Sequence, residues 1–157
     1  MTSETSETSD SKDTPWMQKM RTYLKGGEPP PIAKLIGFEV VDVGHGTAVF
    51  TMVGDPTRHA NPMGTMHGGV LVDIGDAAMG FAMASTLAEG ESFTTIELKA
   101  NYFKPVWTAR LRAEARMVKR SRTLGYIECD IVDEEKALVC KLSSTCMVLR
   151  GTSATGR

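Results

Sequence analysis

Residues 61–80 read NPMGTMHGGVLVDIGDAAMG, and the two acids in this stretch decide how the chain is understood. From Gly69 to about Leu87 the residues are almost all apolar or small, the composition of a helix too hydrophobic all round to lie on a surface. Asp73 and Asp76 interrupt it. A carboxylate in such surroundings pairs, accepts hydrogen bonds or takes up a proton, because an isolated buried charge is costly. The two acids are three positions apart, about 60° around a helix of 3.6 residues per turn, so both can face one cleft.

Upstream of this helix, IAKLIGFEVVDV passes from a brief helical turn into a strand. The GHG at 44–46 predicts a hairpin turn, and TAVFTMV beyond it puts Ala48, Phe50 and Met52 on one face of a second strand. GDPTRHANPMGTM carries the Gly, Pro and Asn content of a loop. Downstream come four strand-like runs, TTIELKANYF, ARLRAEARMV, LGYIECDIV and LVCKLSSTCMVL. In the second, Leu111, Ala113, Ala115 and Met117 alternate with Arg110, Arg112, Glu114 and Arg116, the pattern of a sheet with one buried and one solvated face. The short connectors SRT and DEEKA make the last three runs consecutive hairpins. A single apolar helix is covered so fully only if the sheet curls around it or a second subunit closes the gap. The fold class is therefore α+β with segregated elements.

The ends of the chain have a different character. Residues 1–14 form a polar, Ser/Thr/Glu-rich tail with nothing to bury and are expected to be disordered. PWMQKMRTYLKGG follows, with Pro15 at a first helical position and Trp16, Met17, Met20 and Leu24 at helical spacings, which fits a short surface helix. A single domain is expected over 15–150, with 151–157 as a flexible C-terminus.

Of the 157 residues, 18 are basic and 19 acidic, a net charge of −1. Four of the acids and one lysine lie in the first thirteen residues, leaving a mild basic excess elsewhere. That balance offers no footprint for nucleic acid or an anionic membrane, although it suits a phosphorylated small molecule. Cys129, Cys140 and Cys146 are odd in number and lack metal-ligand spacing, so neither a disulfide framework nor a metal site is expected. With no basic-then-apolar leader and no apolar run of roughly 18 residues, the expected location is the cytoplasm.

The order of elements, with HGG opening the central helix, resembles the hotdog fold, a curved antiparallel sheet wrapped around one long helix. The segment NPMGTMHGGVLVDIGDAAMG is similar to the active-site segment of PaaI-like acyl-CoA thioesterases. The resemblance covers residues 32–149. It rests on Asn61 six residues before His67, on the HGG, and on Asp76 nine residues after that histidine. TTIELKANYFKPV also resembles the family's strand after the helix, ending at Pro105.

Thioester hydrolysis needs a donor for the developing oxyanion and a carboxylate to attack the carbonyl or activate water. Gly68 and Gly69 place backbone N–H groups at the positive end of a helix, with no Cβ to hold an acyl carbonyl away. The resemblance assigns the oxyanion donor to Gly68 and the carboxylate to Asp76, as general base or as nucleophile through a mixed anhydride. It also assigns Asn61 a place near the thioester, Thr95 the attacking water, and His67 the orientation of the loop. Asp73 is left with an intersubunit or capping hydrogen bond. Gly69 lies where it can approach the coenzyme A thioester, and Lys119, Arg120 and Arg122 are candidates for its phosphates.

The function implied is hydrolysis of acyl-CoA thioesters, aryl or small-to-medium acyl, without a metal, redox group or other cofactor. The family's sites lie between subunits, so a homodimer or homotetramer is implied, with Gly68 and Asn61 facing Asp76 of the partner chain. Two other functions suit the same fold: a hotdog hydratase or dehydratase, in which His67 is essential, and a non-catalytic acyl-CoA binding module.

Overall fold

The computed structural model describes residues 13–156. Most of the tail expected to be disordered, residues 1–12, lies outside the described residues, but Thr14 has a definite task. Its side chain accepts the Met17 N–H at 3.2 Å and caps helix α1, Pro15–Leu24, which begins at Pro15 as its fixed φ favours. A second short helix, α2 (Pro31–Ile36), stops at Gly37, whose φ of 88° is left-handed. The strands β1 (Phe38–Gly44) and β2 (Thr47–Val53) then form the hairpin expected around GHG, with Gly46 turning at φ 73°.

The loop between β2 and the long helix contains an unexpected element, the single-turn helix α3 (Pro56–His59). Pro56 supplies the starting φ, and the Asp55 carboxylate accepts both the backbone N–H and the hydroxyl of Thr57. His59 is buried beneath it. Its Nδ1 accepts the Asp55 N–H at 3.1 Å and its Nε2 donates to the Ile36 carbonyl at 2.9 Å.

Helix α4, Gly68–Ala84, is the centre of the fold and packs against all six strands. It ends three residues before Leu87. The hydroxyls of Ser85 and Thr86 bond back to the carbonyls of Ala82 and Met83, each at 2.8 Å, and so compete with further helix. Ser85 also accepts the Gly46 N–H at 2.8 Å, tying the β1–β2 turn to this helix end. Close approach to the sheet depends on Gly75, where a Cβ would lie 2.8 Å from Leu142 Cδ2.

The remaining strands are β3 (Ser92–Tyr102), β4 (Arg110–Arg120), β5 (Leu124–Val132) and β6 (Leu138–Leu149). All neighbours are antiparallel, in the order β1-β2-β4-β5-β6-β3. The alternation read along β4 holds: Leu111, Ala113 and Ala115 are buried against α4, while Arg112 and Glu114 between them face outward. In β2, Ala48, Phe50 and Met52 are likewise buried. Strand β3 crosses over to pair with β6 and is an edge strand, with a bulge at Ile96 between Thr95 and Glu97. At the C-terminus, Gly151–Ala154 form a 3-10 turn. No helix among the described residues is long and apolar enough to cross a membrane.

Candidate active site

At its N-terminus α4 is capped by His67, whose Nδ1 accepts the Gly69 N–H at 3.0 Å. That bond explains one glycine on steric grounds, because a Cβ at Gly69 would stand 2.9 Å from the same nitrogen. The bond also consumes the Gly69 donor. The Val70 N–H turns to the His67 carbonyl at 3.0 Å, whereas the Gly68 N–H has no acceptor among the described residues. Gly68 is thus the free donor at the positive end of the helix. Tyr102, at the end of β3, lies over it: its hydroxyl donates to the Gly68 carbonyl at 3.2 Å, and a Cβ at Gly68 would meet its ring at 3.0 Å.

Asn61 organises the loop leading to His67. Its backbone N–H donates to the Thr65 carbonyl at 2.7 Å, its amide nitrogen to the Thr65 hydroxyl at 2.8 Å, and its Oδ1 accepts the Met63 N–H at 2.9 Å. This closed turn, with Gly64 at φ 82°, is anchored by bonds from Met66 N–H to Val106 and from His67 N–H to His59. Asn61 therefore fixes the approach to the helix, with both ends of its side chain engaged.

Asp76 is two turns into α4. The all-round burial expected of this helix is incomplete: Asp76 opens into a pocket of about 710 Å³ together with Thr95. Although the residue is exposed to the pocket, partial burial of its carboxyl pushes it above the usual range, and the negative charge of Asp73 adds to that. Asp73 is raised as well, by burial. Capping by Asp73 is ruled out by His67 occupying that role, and no hydrogen-bond partner meets its carboxylate among the described residues. Beside Asp76, the Thr95 hydroxyl lies 3.8 Å from the Cys146 sulfur. Burial raises that thiol, and the Asp76 charge adds to the effect.

Within one chain these groups form two clusters. Asn61, His67, Gly68 and Gly69 gather at the start of α4, while Asp76 and Thr95 share the pocket further along. Eight residues of helix from Gly68 to Asp76 amount to about 12 Å along the axis. Arg120 belongs to neither cluster. Its Nε donates to Thr86 at 3.2 Å and its guanidinium pairs with Glu91 at 3.4 Å, so it clamps the end of α4 to the β4–β5 hairpin. The guanidinium of Arg122 has no partner among the described residues.

Several contributors were not evident from residue types. Tyr102 lies in a stretch whose sequence pointed only to Thr95 and Pro105. Six aromatic residues line the pocket, Trp16, Tyr23, Phe38, Phe50, Phe81 and Phe93, and none of the methionines in or near the 61–80 segment does. Met52, Met66, Met79 and Met83 are core, and Met63 is 81% exposed.

An antiparallel sheet curled around one helix, with a donor-bearing HGG at the helix start, defines a hotdog protein. Residues 63–140 match the family described as "Thioesterase superfamily". A thioesterase structure from Haemophilus influenzae is 28% identical, covers 75% of this chain and 82% of its own, and superimposes with a TM-score of 0.71. The phenylacetic acid degradation protein PaaI of Thermus thermophilus, solved as a point mutant, is 26% identical over 75% of this chain and 98% of its own, with a TM-score of 0.70. The 1,4-dihydroxy-2-naphthoyl-CoA hydrolase of Listeria monocytogenes is 28% identical over 69% of this chain and 88% of that protein. The chain belongs to the thioesterase superfamily, as a PaaI-like hotdog protein.

Proposed function

We propose that this protein hydrolyses acyl-CoA thioesters to the free acid and coenzyme A, with Gly68 and Asp76 as the catalytic groups. The observation that carries the reading is a carboxylate, raised by its surroundings, open to an apolar pocket in a chain whose helix start holds a free N–H. The Gly68 N–H donates to the carbonyl oxygen as it becomes an oxyanion, a contribution typically worth about 2.7–4 kcal/mol of barrier. Asp76 takes the proton of a water held by Thr95 as that water attacks the carbonyl carbon. The C–S bond then breaks, and the proton passes to the leaving thiolate. A raised carboxyl suits this work, since a base nearer the operating pH accepts the proton more readily. Direct attack by Asp76, through an anhydride, uses the same groups.

A carbonyl held at Gly68 is too far from Asp76 of the same chain, given the ~12 Å between them along α4. We infer that two copies pair so that the HGG of one faces Asp76 of the other. The open edge of β3 supports this arrangement, because its unpaired backbone groups call for a partner strand. Asn61 and His67 then hold the donor loop, Asp73 faces the interface, and Lys119 and Arg122, both exposed and without a side-chain partner among the described residues, are free to meet the phosphates of coenzyme A.

The test follows thiol release from a panel of aryl, short and long acyl-CoA thioesters. Wild type and Tyr102→Ala should turn over, and Asp76→Ala and Gly68→Pro should each fail, the proline being placed in the Tyr102→Ala background, which clears its ring from the 3.0 Å contact and leaves loss of the N–H as the change. Mixed oligomers of the two variants should regain activity, because one composite site is then intact. Normal turnover by Asp76→Ala would overturn the site assignment, and inactive mixed oligomers would overturn the shared site. Binding without release on any thioester would indicate an acyl-CoA binding module, and hydration of an enoyl thioester without free thiol would indicate a hydratase.

A further inference from the structure

The pocket that holds Asp76 continues well beyond it, and two of its walls can be measured along the chain. On α4 the lining runs from Asp76 through Gly80 to Ala84, ~12 Å at 1.5 Å per residue. Opposite, Thr95 and Phe93 line it from β3, and Glu91, just before that strand, accepts the Trp16 indole N–H at 3.2 Å. Thr95 to Glu91 is ~13 Å at about 3.3 Å per strand residue. The two lengths agree, so the space is a channel with the Asp76–Thr95 pair at one end and Trp16 at the other. At its middle, a Cβ on Gly80 would meet only Phe93, at an ordinary 3.6 Å, so the bare glycine leaves the passage open.

The third wall comes from α1. Trp16, Met20 and Tyr23 line the channel, and the Tyr23 ring lies 6.1 Å from that of Phe81, which is in turn edge-on to Phe50 at 5.0 Å. Such interlocked rings hold their positions better than flexible side chains. This wall lies outside residues 63–140, the part that matches the thioesterase family. A volume of about 710 Å³ falls in the range that encloses a whole small ligand and far exceeds the space a two-carbon acyl group fills.

We infer that α1 is a selectivity wall, that the apolar tail of the acyl group lies along α4 from Asp76 toward Trp16, and that Trp16, Tyr23 and Gly80 are specificity-determining residues. This rests on the thioesterase reading. The tail enters past Gly80, is roofed by Tyr23 and is stopped by Trp16.

The experiment compares kcat/KM for decanoyl-CoA with that for butyryl-CoA in each protein, since a general loss of folding cancels from the ratio. Gly80→Leu should lower the ratio by at least about tenfold, in keeping with the cost of misfitting one or more methylenes in an apolar pocket. Trp16→Ala should raise the ratio for a longer tail, palmitoyl over decanoyl. Unchanged ratios in both variants, with wild type active, would overturn the inference and leave the thioesterase reading intact. A wild type inactive on every thioester would instead remove the reading on which the inference rests. Binding is read separately in a Trp107→Phe background. A non-hydrolysable decanoyl thioether of coenzyme A should change Trp16 emission, and no change at saturation would also overturn the inference.

Discussion

His67 Nδ1 accepts the Gly69 amide hydrogen at 3.0 Å, and by doing so determines that Gly68 alone is left to donate at the start of α4. A histidine in this position is a cap before it is an acid or a base. His67→Ala should cost about 0.5–2 kcal/mol of stability, while His67→Asn, a good cap, should recover most of it and most of the thioesterase activity. Chemical denaturation and thiol release on the two variants check this. Inactive but stable His67→Asn would point to direct chemistry by the imidazole.

Asp76→Asn should trade activity for stability. Loss of a general base predicts a fall of about 10²- to 10⁴-fold in kcat/KM. The sign of the stability change follows from the raised carboxyl. Its ionisation is easier in the unfolded chain, so folded stability falls as pH rises from the ordinary carboxylate range toward the raised value. The amide escapes that loss. The variant should therefore melt higher than wild type at neutral pH, and the gain should vanish below the ordinary carboxylate range. A melting series across pH decides it.

Asp73→Asn should shift the pH–rate profile. Asp76 must be ionised to act, so activity climbs as pH rises through its raised value, and the Asp73 charge is part of what raises it. Removing that charge should move the acid limb of kcat/KM to lower pH and leave the plateau nearly intact. An unmoved limb would show that the two carboxylates do not interact in the assembled enzyme.

Gly75→Ala brings a Cβ to 2.8 Å from Leu142 Cδ2. Overpacking of this kind costs about 1–3 kcal/mol, against a gain of about 1 kcal/mol in helix propensity, so the net effect should be a lower melting temperature. In a Leu142→Ala background the clash is gone and the same substitution should become stabilising. A double-mutant cycle without that reversal of sign would contradict the contact.

Much of this architecture could be read along the chain because the responsible signal was local. The alternation of Leu111, Ala113 and Ala115 with charged residues is a two-residue pattern, and it specified the buried face of β4 directly. GHG placed the first hairpin for the same reason. The end of α4 was harder. Leu87 is as buried as the helix it follows, so hydropathy continues past the point where Ser85 and Thr86 turn their hydroxyls on the last carbonyls. The pairing of β3 with β6 leaves no local trace at all, since it joins strands brought together only when the sheet closes.

The site divided in the same way. Spacing within the segment 61–76 located the HGG and both acids, which lie close together in sequence. Which acid opens to the pocket depends on Thr95 and on what α1 leaves uncovered, and neither follows from helical period alone. Arg120 looked like an available cation, and only the fold brings Thr86 and Glu91 to it. Tyr102 reaches Gly68 across 34 positions of chain.

Among the described residues, the indole of Trp16 makes the one side-chain hydrogen bond from α1 to the body of the protein, and it reaches a carbonyl 75 positions away. Its other polar bonds stay within the helix and its N-terminal flank, and its side chains otherwise meet the body through apolar residues such as Met17, Met20 and Tyr23, contact that tolerates replacement more readily than a network of polar bonds does. If Gly68 and Asp76 react and α1 sorts the substrates, as proposed, bond cleavage and most of the sorting are written on separate stretches of chain, joined by a light fastening. Descendants of this protein could change what they digest by rewriting some ten residues at the front, while the machinery of bond cleavage was inherited untouched.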